Sequence, residues 1–206
     1  LFRLADALEA EAERFALIET LDVGKPVKES LGDVRGVCAT IRYNAGAADK
    51  MEGSTIPLGH DYVDFTMLEP VGVTAHIVPW NYPLGMVARS VAPALTAGCT
   101  LILKPAENTP LTAIRVGQLA VEAGFPPGVI NIINGAGDTG AALVEHPGVD
   151  KIAFTGSTGV GRKIGEIAGR QLKRVTLELG GKSPNIIFDD ADLRAAIGGS
   201  FQGIYF

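Results

Sequence analysis

The pattern of apolar and polar positions changes character twice along this chain. Up to about residue 50, apolar residues recur at three and four: Leu1, Leu4, Ala5 and Leu8 share one helical face, and Val34, Val37, Cys38, Ile41 and Tyr43 another. This spacing predicts two helices, the second starting near Ser30, with Gly24-Lys25-Pro26 as punctuation between them. Over 54–69 the chain alternates weakly, with Tyr62, Phe65, Met67 and Leu68 among polar neighbours and Gly53 and Pro70 at its limits, which predicts a hairpin outside any main sheet. From Val71 onward, short β-branched runs alternate with helical ones. Strands are predicted over 72–78, 100–103, 129–133, 151–154, 174–178 and 185–188, and helices over 84–97, 110–123, 139–145, 160–170 and from 192 on. Strand followed by helix, repeated, implies parallel strands joined by right-handed crossovers, and so a doubly wound α/β sheet of Rossmann-like type. The expected organisation is helices over 1–53 packed on the sheet, the hairpin over 54–70, and an α/β domain over 71–206.

Composition narrows the function. With 206 residues, 47% of them apolar and 20% charged, the chain can bury a sizeable core. The net charge of -5 contains no Lys or Arg block able to neutralise a phosphate backbone or an anionic bilayer, so neither nucleic acid nor a membrane is the expected partner. The two cysteines, Cys38 and Cys99, lie far apart among small and apolar neighbours, which fits a reducing, cytoplasmic setting better than a disulfide framework. No metal site is expected. Leu1 opens inside an amphipathic pattern and Ser200 to Phe206 close on an apolar run without a cap, so the chain is expected to be part of a longer one.

In a doubly wound sheet, ligands sit beyond the carboxyl ends of the strands. Four loops at such positions carry unusual residues. Pro79-Trp80-Asn81-Tyr82-Pro83 holds one amide between prolines and aromatics: Asn81 either tolerates an awkward turn or points its NH2 into a cleft as an oxyanion donor. In Lys104-Pro105-Ala106-Glu107-Asn108-Thr109-Pro110, Thr109 and Pro110 suit a helix start. Lys104 and Glu107 suit either a solvated ion pair or a donor and acceptor for ribose hydroxyls. Phe154-Thr155-Gly156-Ser157-Thr158-Gly159-Val160-Gly161-Arg162 runs from strand to helix, where Gly156, free N–H groups and the Ser157 hydroxyl can hold a phosphate; Arg162 is assigned to the solvent face. Leu177-Glu178-Leu179-Gly180-Gly181-Lys182-Ser183-Pro184 sets a carboxylate among apolar residues, either a general base raised by burial or the partner of Lys182. Gly135-Ala136-Gly137-Asp138-Thr139-Gly140 matches the dinucleotide glycine pattern, but on the third strand and without an acid at a strand end about 20 residues on, so a plain glycine-rich turn competes with it.

Together these loops resemble the aldehyde dehydrogenase superfamily, from about Leu17 to Phe206, with all four signatures in family order. The resemblance implies that Asn81 is the oxyanion amide, Glu178 the base that activates the hydrolytic water, Lys104 and Glu107 the adenosine-ribose contacts, and Gly156 and Ser157 the pyrophosphate holders. Gly137 and Val160 would flank the adenine. Ile77, Pro79, Trp80, Phe154 and Leu179 complete the implied cofactor contacts. In the family a cysteine attacks the aldehyde, hydride passes to NAD(P), and the thioester is hydrolysed; that cysteine is expected beyond Phe206, since Cys38 and Cys99 read as small buried residues. His60, His76 and His146 have no implied catalytic place, and His76 reads as a strand residue.

Residues and resemblance together lead to an expectation of NAD-dependent aldehyde oxidation, with NAD preferred over NADP because the Glu107 carboxylate repels a 2'-phosphate. The alternatives are a CoA-acylating or phosphate-reducing relative on the same fold, against which Glu178 argues, and a non-catalytic nucleotide-binding chain. A homodimer or tetramer built through the hairpin is expected. Tyr82, Met86 and Arg89 are expected near the aldehyde tunnel by resemblance, with the aldehyde itself unspecified.

Overall fold

A computed structural model describes residues 1–205; Phe206, the end of the final apolar run, lies outside the described residues. Three helices, not two, open the chain: α1 (Phe2–Ala10), α2 (Ala12–Val23) and α3 (Val27–Ala47). The extra break falls at Glu11, whose backbone leaves the helical region (φ -104, ψ 23). The Glu11 carboxylate accepts from Arg115 Nε at 3.0 Å and from Arg14, so the break is held by charge pairing that apolar periodicity does not register. The second break is the expected one: Gly24, at φ 85, caps α2 in the left-handed region and returns its N–H to Thr20, and Pro26 starts α3. Tyr43, counted on the apolar face of the helix, is exposed.

The hairpin is a separate antiparallel pair, β1 (Thr55–Ile56) and β2 (Asp64–Phe65). The main sheet has five parallel strands: β3 (Val73–Ile77), β4 (Thr100–Lys104), β5 (Ile130–Ile132), β6 (Lys151–Thr155) and β7 (Arg174–Glu178), in the spatial order β5-β4-β3-β6-β7. Helices α4 (Pro83–Thr96), α5 (Leu111–Glu122), α6 (Gly137–Glu145) and α7 (Thr158–Arg170) connect them, and α8 (Leu193–Tyr205) comes last. Winding runs outward through β3, β4 and β5, then α6 returns the chain across the sheet to β6 and β7. The order therefore reverses beside β3, where such sheets leave a crevice.

Two buried clusters lie on opposite faces. Leu4, Leu8, Phe15, Val34, Ile41, Leu84, Val87, Leu101 and Leu103 join α1–α5 to one face. Ala75, Ile152, Phe154, Leu143, Val144, Ile164 and Ala168 join α6 and α7 to the other. Strand alternation sorts β3 accordingly, with Ala75 and Ile77 toward α6 and α7, and Thr74 and His76 toward α4. Burying residues such as Phe15 or Leu101 completely contributes roughly 2–3 kcal/mol each.

Asp150, which precedes β6, stands at the amino ends of the strands. Its carboxylate accepts Val73 N–H at 2.8 Å and its own N–H bonds Val73 O at 2.9 Å. It ties β6 to β3, far from the ligand edge, and Gly72 (φ +119) makes room for it. Residues 185–188, expected as a sixth strand, are not one. Their β-branched run has no strand to pair with among the described residues, and Ile186 and Phe188 are exposed.

Candidate functional site

Backbone register brings the four loops to one edge. Ile77 is level with Lys104 on one side and Phe154 on the other, and Thr155 is level with Glu178. The loop bearing Asn81, Lys104, Gly156 and Glu178 thus all stand at the carboxyl end of the sheet, but in different cavities.

The first cavity, of about 500 Å³, opens between α6, α7 and the ends of β3, β4 and β6. Ile77, Pro79, Lys104 and Glu107 line one wall; Gly137, Phe154, Gly156, Ser157 and Val160 line the other. Trp80 and Leu179 do not line it. Trp80 is exposed, and Leu179 packs on Gly161 of α7, where a Cβ would approach its side chain within 2.3 Å. Gly140, the last glycine of the pattern that begins at Gly135, joins the walls, together with residues not singled out in the sequence: Ala141 and Val144 of α6, and Lys163, Ile164 and Ile167 of α7. In a sequence these last read as ordinary helix positions. Besides Lys104, Lys163 brings a second cation to the cleft; Arg162 is exposed and outside it, as expected.

This cleft offers three chemistries. Between α6 and α7 lies an apolar slot, floored by Gly137 and Gly140 and flanked by Val160, which leaves 47% of its surface uncovered. Gly140 faces Ile77 and Lys104, which a Cβ there would meet at ordinary contact distances of 3.6 and 3.7 Å. Next comes Lys104, which is buried rather than solvated; its Nζ donates to Pro105 O at 3.1 Å and faces Glu107 at 3.7 Å. Only one of its three N–H groups meets an oxygen at hydrogen-bond distance, so the others remain for a hydroxyl-bearing ligand, with the exposed Glu107 as acceptor. Third is the start of α7. Ser157 caps Val160 N–H at 3.4 Å, leaving the first-turn amides of Thr158 and Gly159 without intrahelical acceptors and able to face an anion. Gly156 is required there because a Cβ would meet the Phe154 ring at 2.5 Å. Its N–H donates to Glu178 O at 3.0 Å.

The second cavity, of about 280 Å³, lies on the α4 side of the same strands. Glu178 reaches it, together with Met86, Arg89, His76 and Lys151. The burial expected of Glu178 is absent: its side chain is 56% exposed, because β7 is the sheet's edge strand and nothing among the described residues covers it on this face. Its charged neighbour is Arg89, at 3.8 Å, and not Lys182, which turns to Gly181 O at 3.4 Å. His76 is a buried strand residue. Thr74 Oγ1 spends its single proton on Thr100 O at 3.0 Å and therefore accepts from His76 Nε2–H at 3.0 Å, which fixes a neutral imidazole protonated on Nε2. Burial, with the charge of Lys151 assisting, lowers its pKa to about 4.

Asn81 belongs to a third cavity, of about 350 Å³, beside the link between α2 and α3, shared with Tyr82, Lys25 and Asp33. The cysteines are both buried: Cys38 sits in α3, where burial pushes its thiol up, and Cys99 precedes β4 at the end of the sheet opposite Glu178. Among the described residues no group of three His, Cys, Asp or Glu is placed to hold a metal ion, and no helix is long and apolar enough to cross a membrane.

A family model described as the aldehyde dehydrogenase family matches residues 1–206. Human retinal dehydrogenase 2 is 56% identical over 99% of this chain, and an aldehyde dehydrogenase of Enchytraeus buchholzi 55% identical over 99%. The chain spans only 40% and 42% of those two proteins. Among solved structures, the NAD+ complex of an aldehyde dehydrogenase from Bacillus cereus superposes with a TM-score of 0.97 at 49% identity, covering 100% of this chain and 42% of that one. The NAD-dependent aldehyde dehydrogenase from Sinorhizobium meliloti superposes at 0.96 and 48% identity, covering 99% and 41%.

Proposed function

Because the chain belongs to the aldehyde dehydrogenase family, we propose that it is the cofactor-binding portion of an enzyme that oxidises an aldehyde to a carboxylic acid with NAD. One observation carries this reading: a single cavity joins an apolar slot, a buried Lys104 facing Glu107, and the open start of α7, the sequence of surfaces that a base, a ribose and a pyrophosphate require. NAD when bound supplies the hydride acceptor. The chain's own residues hold and orient it: Val160, Gly137 and Gly140 receive the adenine, Lys104 and Glu107 the ribose hydroxyls, and Gly156, Ser157 and the α7 amides the phosphates. The Glu107 carboxylate favours NAD over NADP, since it stands where a 2'-phosphate would bring a second negative charge.

Glu178 and Asn81 act on the aldehyde side. Glu178 is the base that takes a proton from the water attacking the thioester, and its exposed side chain leaves it free to turn toward that water. The Asn81 NH2 donates to the oxygen that gains negative charge. The nucleophilic cysteine lies outside this chain, as the burial of Cys38 and Cys99 supports. We further propose a cytoplasmic homo-oligomer assembled through the β1–β2 hairpin, where the apolar Phe65 of β2 and its neighbours Val63 and Met67 are exposed.

Rapid mixing of the full-length enzyme with aldehyde and NAD tests the hydrolytic role. Glu178→Gln should leave the first burst of NADH largely intact while the steady rate falls by roughly 10² or more, the scale of a lost general base. No burst and an unaltered steady rate would remove Glu178 from the catalytic residues and favour acyl transfer to CoA or phosphate.

A further inference from the structure

Among the described residues no hydrogen bond holds the Asn81 amide, and the loop that carries it is exposed, yet an oxyanion donor works only when its position is fixed in advance. The contacts that hold this loop come from the N-terminal helices. Glu19 of α2 is completely buried, and its carboxylate accepts the Leu84 N–H at 3.3 Å, at the start of the helix that follows the loop. The same carboxylate accepts from Lys25 Nζ at 3.1 Å, and Lys25 also donates to Asp33 of α3 at 2.7 Å. The ammonium stands 4.2 Å from the centroid of the Tyr82 ring, the residue next to Asn81. Lys25 itself is fixed by its backbone, between the left-handed Gly24 and the N-cap Pro26.

Packing alone does not call for charges here, because the desolvation of a largely buried ion-pair network can offset what its pairing returns in stability. What the network supplies instead is position. We propose that Lys25, held by Glu19 and Asp33, is a positioning residue for the Asn81 amide, so that the link between α2 and α3 sets the geometry of the oxyanion donor from outside the sheet. This rests on the reading of Asn81 as that donor. Lys25 acts through two handles that follow the amide in the chain, the Tyr82 ring and, by way of Glu19, the Leu84 N–H. Removing the ammonium leaves Glu19 and Asp33 without their counter-charge, and the two handles release together. Lys25 borders neither the α6–α7 cleft nor the Glu178 cavity, so cofactor affinity and the hydrolytic step are not its concern.

The test is a double-mutant cycle on the burst rate of the full-length enzyme at saturating aldehyde and NAD. Asn81→Ala should lower that rate by about 10²-fold or more, as loss of an oxyanion donor does. Lys25→Met should lower it about tenfold with KM for aldehyde and Kd for NAD nearly unchanged, and should cause no further loss in the Asn81→Ala background, since both changes remove one function. Lys25→Arg, which keeps a cation over the ring, should recover most of the rate. A tenfold loss that persists in the Asn81→Ala background, or no loss from Lys25→Met where Asn81→Ala is severe, would overturn the proposal. A mild effect of Asn81→Ala itself would instead overturn the oxyanion reading on which it rests. If Lys25→Met fails to fold, Tyr82→Leu removes the cation contact at a half-exposed site; about threefold loss that vanishes in the Asn81→Ala background supports the proposal, and equal loss in both backgrounds contradicts it.

Discussion

The two cavities that flank β3 and β6 are finished to different degrees. On the α6–α7 side the walls are complete within this chain: glycines and apolar residues of the two helices make the slot, and Lys104 is already buried at its end. On the α4 side the strands present Thr74, His76, Lys151, Thr176 and Glu178, polar residues that α4 covers only in part. The contrast teaches which function each side can hold alone. A binding surface is made by rigid elements of one domain, whereas a catalytic centre assembles residues from several; in the function proposed above, Glu178 and Asn81, which line separate cavities, are two parts of such a centre.

Acid should break the comparison most strongly. His76 is buried on the polar side with its pKa lowered to about 4, from an ordinary 6.5. The folded state then binds fewer protons than the unfolded chain between these values, so stability is fully present above pH 6.5 and is lost as pH falls through 6.5 toward 4. The full effect is about 3 kcal/mol. Urea midpoints of the full-length protein at pH 7.5 and 4.5 should differ by less in His76→Gln than in the parent; identical pH dependence of the two would show that the polar side does not resist protonation.

Cofactor choice sharpens the comparison from the apolar side. Glu107 is 64% exposed, so solvent weakens its repulsion, and Glu107→Gln should shift the ratio of NAD to NADP affinity toward NADP by only about fivefold. Calorimetric Kd values for both cofactors measure it, and an unchanged ratio would detach Glu107 from the ribose.

Sequence patterns reveal the carboxyl-edge residues well because each strand end is marked by a change of period, and the doubly wound order then brings Lys104, Gly156 and Glu178 into line. They are poor guides wherever a residue's role depends on what lies across from it. Val144 and Ile164 lie within predicted helices, and nothing local says that α6 and α7 part above them to leave a slot. Glu178 sits among apolar neighbours in sequence but on an uncovered edge strand in space. Nothing in the sequence pattern singles out Glu19, and only the fold brings Leu84 and Lys25 to its carboxylate. The run over 185–188 has strand chemistry without a strand partner among the described residues.

The central claim is that NAD occupies the α6–α7 cleft, and hydrogen–deuterium exchange of the full-length protein with and without saturating NAD tests it most directly. Bound cofactor should slow exchange at the amides of Gly156 to Gly161 and along the first turn of α6, while the amides of Thr74, His76 and α4 exchange as before. Protection confined to the α4 side, or none in either region at saturation, would contradict the assignment.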